Sequence, residues 1–195
     1  MKKIAFIVQR YGNNINGGAE LHCRQLAEKL TAFYEVEVLT TCAVDTNWAN
    51  DLEPGTSTLN KVTVRRFKTT QERNESEMKK IRLKINTSRR LFKKEASTED
   101  CKKWVAAQGP YVPELVEFVQ RHEQEYDCLL FYTYLYYPTV SGIAANPAKT
   151  IFIPTAHDEW AIYLPIYRPL FLEPAFIMYN TPAEKRFVHG LFNNA

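Results

Sequence analysis

Residues 4–20, IAFIVQRYGNNINGGAE, decide how this chain folds. Ile4-Ala5-Phe6-Ile7-Val8 is an unbroken apolar run, as expected of a strand covered on both faces in a parallel sheet. With its flanks the strand reads as Lys3 to Gln9. Gln9 to Glu20 is a polar loop rich in Gly and Asn, and Leu21 to Leu30 reads as an amphipathic helix. That helix places Ala19, Cys23, Leu26, Ala27 and Leu30 on one face and turns Glu20, Arg24, Glu28 and Lys29 toward water. A strand, a glycine loop and a helix N-terminus in this order make a pocket for an anionic group, because the first helical N–H groups lack partners and the helix dipole favours negative charge. Gly17 and Gly18 have no Cβ, so a phosphate or sugar can approach their backbone. The plain alternative is a tight strand-to-helix turn.

Working outward, Glu35 to Thr41 alternates as a second strand and completes a β-loop-α-β unit, parallel by right-handed crossover. Thr46 to Asn60 is polar and turn-rich, with Pro54-Gly55 as its turn signal. Lys61 to Phe67 reads as a third strand. Glu72 to Ala107 is helical and charged, and a helix from Pro113 to about His122 buries Leu115, Phe118 and Val119. Asp127 to Tyr132 is a fourth strand, followed by a tyrosine-rich loop from Thr133 to Pro138 and a short helix around Val140 to Ala145. Lys149 to Ile153 is a fifth strand and Ala175 to Tyr179 a sixth. A last helix starts at Thr181-Pro182-Ala183-Glu184, where Thr is a good N-cap and Pro a good first residue. The succession predicts an α/β fold: a doubly wound, mostly parallel, Rossmann-like sheet with helices on both faces. The abrupt end, Leu191 to Ala195, reads as the lead-in to a further domain.

The chain has 195 residues, 45% hydrophobic and 24% charged, which suits one globular domain. No apolar run is long enough to span a bilayer. Met1-Lys2-Lys3 with its short apolar stretch is not a signal peptide, since Gln9 and Arg10 interrupt the run, so a cytoplasmic protein is expected. The four cysteines, Cys23, Cys42, Cys101 and Cys128, include no C-x-x-C pair and give neither a zinc site nor a disulfide framework. A net charge of +3 does not imply nucleic acid.

In open parallel sheets, ligands bind beyond the carboxyl ends of the strands. Three segments should converge there: Arg10 to Gly18, Thr133 to Tyr137, and Thr155-Ala156-His157-Asp158-Glu159. His157 is the sharpest candidate. A neutral imidazole can donate to a sugar hydroxyl, and a protonated one can stabilise a phosphate leaving group. Its bland reading is a histidine that caps local backbone. His157-Asp158-Glu159 is a poor metal motif, because adjacent residues point apart, so no metal is expected. The chain has no G-x-S-x-G elbow, no Walker loop and no G-x-G-x-x-G dinucleotide fingerprint.

The loop with Gly17-Gly18-Ala19-Glu20 resembles that of the retaining group-one glycosyltransferases of the GT-B fold. So do the strand running into Thr155-Ala156-His157-Asp158 and the passage Tyr179-Asn180-Thr181-Pro182-Ala183-Glu184. The resemblance spans essentially the whole chain, in order. It implies the N-terminal, acceptor-side domain of a two-domain enzyme that moves a sugar from a nucleotide-sugar to a glycan or lipid-linked acceptor with retention. The implied roles are donor diphosphate contact for Gly17 and Gly18, and a place by the transferred sugar for His157. Arg10, Tyr11, Asn16, Tyr132, Tyr134 and Asp158 would line the acceptor side. No cofactor is implied: the nucleotide-sugar is a co-substrate held mainly by a C-terminal domain, which this chain lacks. Alone, it is expected to be inactive.

Lys79 to Lys94 carries Lys79, Lys80, Arg82, Lys84, Arg89, Arg90, Lys93 and Lys94 and no acid. With Met78, Ile81, Ile85, Ser88 and Phe92 at near-heptad spacing, it reads as a basic amphipathic helix, either core-packed with a solvated face or lying on an anionic membrane surface. Two further readings stay open: a non-catalytic sugar- or nucleotide-binding module, and a membrane-associating scaffold acting through residues 78–94.

Overall fold

In this computed structural model residues 1–194 are described; Ala195, the end of the expected lead-in, lies outside them. Alternation along the first strand sets the layers. Ile4, Phe6 and Val8 join one buried cluster, and Ala5 and Ile7 join another. Strands β1 (Lys3–Ile7), β2 (Glu35–Thr41), β3 (Gly55–Leu59), β4 (Val62–Phe67), β5 (Cys128–Tyr132), β6 (Thr150–Ile153) and β7 (Phe176–Ile177) form one sheet, in the order β3-β4-β2-β1-β5-β6-β7. All neighbours are parallel except β3 and β4.

Helix α1 (Gly18–Leu30) covers one face, packing Cys23 and Ala27 on Ile4, Phe6, Val38 and Val64. The other face carries α2 (Glu75–Phe92), α3 (Thr98–Gln108) and α4 (Pro113–His122), then the short α5 (Tyr137–Gly142) and α6 (Pro182–Phe192). Two 3₁₀ segments, Trp160–Tyr163 and Pro165–Phe171, add Ile162, Tyr167, Leu170 and Phe171 to that core. This is the expected doubly wound, Rossmann-like sheet.

Four details depart from the sequence reading. Helix α1 begins three residues earlier than Leu21, because the Gly17 carbonyl already accepts the Leu21 N–H at 2.9 Å. The stretch read as turns contains β3, an exposed edge strand whose polar Gly-Thr-Ser-Thr sequence gives no apolar alternation. In the same stretch Trp48 is fully buried, its indole N–H donating to the Gln108 carbonyl at 2.6 Å. Helix α5 starts at Tyr137, ahead of Val140, with Pro138 in its first turn.

Glu37 on β2 is a buried carboxylate with three donors: the Tyr126 hydroxyl at 2.9 Å, Arg65 Nε at 2.9 Å and Lys3 Nζ at 3.1 Å. Burial alone would push its pKa up, but the bonds from Arg65, Lys3 and Tyr126 outweigh it and hold the pKa below the usual value. A depressed pKa in the folded state contributes stability above the unfolded value of about 4.3, and that contribution is lost as pH falls through the lower folded value. The thermal midpoint is therefore expected to drop below about pH 4. Glu37→Gln should lower the neutral-pH midpoint and flatten the acid limb, which thermal scans from pH 7 to about 3 will check.

Candidate functional site

Strand β1 lies between β2 and β5, so the crossovers from this pair leave in opposite directions. The crevice outside the carboxyl ends at such a switch point is where open α/β sheets bind ligands. The loops that follow β1, β5 and β6 all rise from this edge. The last two are tied together: Thr133 N donates to the Ile153 carbonyl at 2.9 Å and Tyr134 N to Pro154 at 3.0 Å. Thr133 and Thr155 both have positive φ, 64° and 50°, which costs strain in a β-branched residue. The Thr133 hydroxyl is buried without a partner.

The loop after β6 is pinned from below by α6. Thr181 caps that helix by accepting the Glu184 N–H. The buried Glu184 carboxylate then accepts Ala156 N at 2.6 Å and Asn180 N at 2.7 Å. The Thr-Pro-Ala-Glu signal thus fixes the backbone just before His157. His157 is exposed, at 70% of its side chain, with Nε2 3.5 Å from Glu159. Glu159 in turn accepts a hydrogen bond from the Tyr134 hydroxyl. Asp158, also exposed, accepts from the Tyr163 hydroxyl at 2.8 Å.

At the start of α1 the sequence reading needs correction. Glu20 does not face water. It is 5% exposed and accepts Gln9 Nε2 at 2.9 Å, Arg10 Nε at 2.9 Å and a terminal Arg10 nitrogen at 2.6 Å. Arg10, 8% exposed, spends another N–H on the Val44 carbonyl at 3.1 Å. Arg10 therefore serves as a clamp on the loop and presents little surface to an acceptor. The two glycines also separate. A Cβ on Gly17 would stand 2.1 Å from Glu20 Oε2, so its missing side chain makes room for Glu20, whereas a Cβ on Gly18 would meet nothing within 4 Å. Gly18→Ala is expected to leave stability within about 0.5 kcal/mol of the parent, and Gly17→Ala to lower it by more than 1 kcal/mol. Chemical denaturation of the two variants checks the contrast.

Tyr136 lies in the loop after β5, at the start of α5. Burial pushes its pKa up, with the Glu20 and Glu159 charges adding to the rise and those of Arg10 and Arg73 opposing it. Its ring packs edge-on to Trp48 at 5.2 Å, and Trp48 lies under the Arg10 guanidinium at 6.0 Å.

Asn16 is exposed, in line with a surface role. Tyr11, Tyr132 and Tyr134 are not, at 1%, 0% and 1% exposure. Tyr132 ends β5, and the strand's alternation turns it toward α1, where His22 meets its ring at 5.8 Å. Tyr134 folds back under the 3₁₀ segments against Tyr167 at 5.0 Å and Phe171 at 6.1 Å. Tyr11 packs with the α1 cluster. These rings are packing residues.

Helix α2 does not present one uniform basic face. Lys79 and Lys80 lie 3.9 Å from Glu75 and Glu77, and Lys84 binds Asp100 at 2.7 Å. Arg82 stacks on Trp160 at 5.0 Å and Arg89 donates to the Tyr163 carbonyl at 2.8 Å, both on the segment that follows His157. Arg90 is exposed, and Phe92 is 65% exposed, so it does not extend the buried stripe of Ile81 and Ile85. Sequence reasoning placed Tyr136 in the loop after β5 with Tyr132 and Tyr134, and missed Glu184 as the anchor of the His157 loop. Only the helix cap gave a signal, and only for Glu184.

The sequence matches no protein-family model and no curated protein. Its fold does match solved structures. One is the sucrose-phosphate synthase of Thermosynechococcus elongatus, superposed with a TM-score of 0.60 at 14% identity over 100% of this chain and 46% of that one. The chain therefore spans about half the length of that protein, and its Rossmann-like sheet corresponds to one half of a GT-B architecture.

Proposed function

We propose that this chain is the acceptor-side half of a glycosyltransferase, one that moves a sugar from a nucleotide-sugar to a glycan or lipid-linked acceptor with retention of configuration. The observation that carries the reading is that the α1 N-terminus and the His157 loop follow parallel strands β1 and β6, on either side of β5, at one carboxyl edge. The fold likeness to a sucrose-phosphate synthase is consistent with it. In this reading a second domain closes over the edge and brings the nucleotide-sugar. The exposed backbone at Gly18 faces the donor diphosphate, with Gly17 shaping the turn. His157, held by Glu159, donates to a hydroxyl of the transferred sugar or, as imidazolium, offsets charge on the leaving diphosphate. Asn16 and Asp158 contact the acceptor. Closure excludes water and limits hydrolysis of the donor. The chain by itself should turn over no nucleotide-sugar. Joined to a donor-binding domain, it should release nucleoside diphosphate from at least one of the UDP-, GDP- and ADP-hexoses. Turnover by this chain alone, or none in the joined protein, would count against the reading.

A second reading concerns location. Among the described residues no helix is long and apolar enough to cross a membrane. Helix α2, however, exposes Leu83 at 69%, Leu91 at 64% and Phe92 at 65% among Lys80, Arg90, Lys93 and Lys94. Exposed apolar side chains among cations suit contact with the inner face of an anionic membrane. Co-sedimentation with phosphatidylserine vesicles at low salt is expected, and Leu83→Glu/Leu91→Glu should abolish it. Equal recovery with neutral vesicles would remove the idea.

A further inference from the structure

On the face of the sheet opposite α1, helix α3, helix α5 with the turn after it, and the 3₁₀ segment Pro165–Phe171 enclose a cleft of about 610 Å³. Small-molecule sites run from roughly 300 to 1,000 Å³. The floor is apolar and continuous with the core: Val105, Ile143 and Leu170 are each 2% exposed. Ala106, Val140 and Ile166 form half-buried walls. The cleft is lined by none of the residues placed above at a donor, an acceptor or a membrane.

Its polar groups gather in two places. Tyr111 and Tyr137 meet edge-on with ring centroids 4.6 Å apart, and Ser141 lies one helical turn past Tyr137 on α5. Lys102, Lys103 and Glu173 are exposed and stand where the cleft opens to water. Glu99 holds Lys103 at 2.6 Å. Among the described residues Lys102 has no carboxylate within 4.0 Å, and Glu173 no cationic nitrogen. The mouth therefore carries one solvated charge of each sign, and the two are not paired with each other.

An apolar floor with charge confined to the rim fits a flexible hydrocarbon chain. It does not fit a sugar, whose ring hydroxyls would lose water and find partners only at Tyr111, Tyr137 and Ser141. The rim fits a head that carries both signs, since Lys102 can meet an oxyanion and Glu173 a cation while all four charges stay in water. From this we infer that the cleft binds one single-chain lipid whose head holds a phosphate and an amine, the chain over Val105, Ile143 and Leu170 and the head between Lys102 and Glu173. The site is independent of the transferase reading, which concerns the carboxyl edge of the sheet.

The test is calorimetry on this chain with octyl-, decyl- and dodecylphosphocholine, each kept below the concentration at which it forms micelles. Saturable binding of one molecule per chain is expected, tightening about two- to fourfold for each added methylene. Ala106→Trp and Ala144→Trp fill the cleft from a half-buried and an exposed position. Each should weaken dodecylphosphocholine at least tenfold while melting as the parent does. Leu83→Glu/Leu91→Glu, on the exposed side of α2, should change it less than twofold. Dodecanoate and dodecyltrimethylammonium carry one charge each and should bind about two- to fivefold more weakly. Glu173→Gln should weaken dodecyltrimethylammonium and leave dodecanoate unchanged. No saturable binding of dodecylphosphocholine, or equal affinity in the parent and both tryptophan variants, would overturn the site. Dodecanoate binding as tightly as dodecylphosphocholine would overturn the two-signed head. Self-association of the parent that Ala144→Trp abolishes would assign the cleft to a second copy of the chain instead.

Discussion

Glu20→Ala is expected to destabilise the fold by about 3–5 kcal/mol, more than any other single substitution considered for this chain. The reason is the charge left behind. Arg10 and Glu20 are both nearly excluded from solvent, at 9% and 6% side-chain exposure, and the 2.6 Å contact is part of a set in which one carboxylate oxygen takes three donors. Removing the carboxylate strands the guanidinium, which then keeps only the Val44 carbonyl. Breaking a buried pair on one side costs far more than the pair contributes, because the desolvation of the remaining charge is no longer offset. Replacing both partners with apolar residues of similar size, Arg10→Met with Glu20→Leu, should recover much of the loss. Urea titrations of the two variants check this, and a loss below about 1 kcal/mol for Glu20→Ala would mean that water reaches the pair.

His157→Ala should behave in the opposite way, with little effect on stability and a large one on chemistry. The side chain is 70% exposed and its contact with Glu159 is long, at 3.5 Å, so thermal stability should change by less than about 0.5 kcal/mol. In the joined protein, loss of a donor aimed at developing charge should lower kcat about 10²-fold or more. His157→Gln, which keeps a donor but cannot become a cation, should retain more activity if the contact is to a sugar hydroxyl. It should match alanine if a cation on the diphosphate is required.

Much of the fold was legible because its signals are local. The apolar run at Ile4–Val8, the alternation at Glu35–Thr41 and the Thr181-Pro182-Ala183-Glu184 start of α6 each declare themselves within a few residues. What could not be read depends on partners distant in sequence. Glu20 falls on the solvent side of a helical wheel, and only the return of Arg10 from the loop draws it inside. Trp48 sits in a polar stretch, and its burial follows from the Gln108 carbonyl, 60 residues away. Strand β3 is polar along its exposed edge and exists because β4 offers hydrogen bonds, which no periodicity reports.

The site shows the same division. Its edge of the sheet follows from strand order and could be expected from a β-loop-α-β opening. The individual aromatics could not be assigned in this way. Tyr132 and Tyr134 are two apart in a segment that looks like a surface loop, yet strand alternation buries the first and a 3₁₀ turn buries the second. Tyr136, two residues further on, packs edge-on to Trp48 instead.

The central claim is that the exposed turn at Gly18 and the ring of His157 serve one ligand at one edge of the sheet. Its most direct test is nucleoside diphosphate release by the joined protein from a panel of UDP-, GDP- and ADP-hexoses, measured for the parent, Gly18→Val and His157→Ala. The account predicts that one donor is turned over by the parent and that each variant loses at least tenfold while melting at the parent's temperature. Full activity in both variants, or no turnover of any donor by the parent, would contradict it.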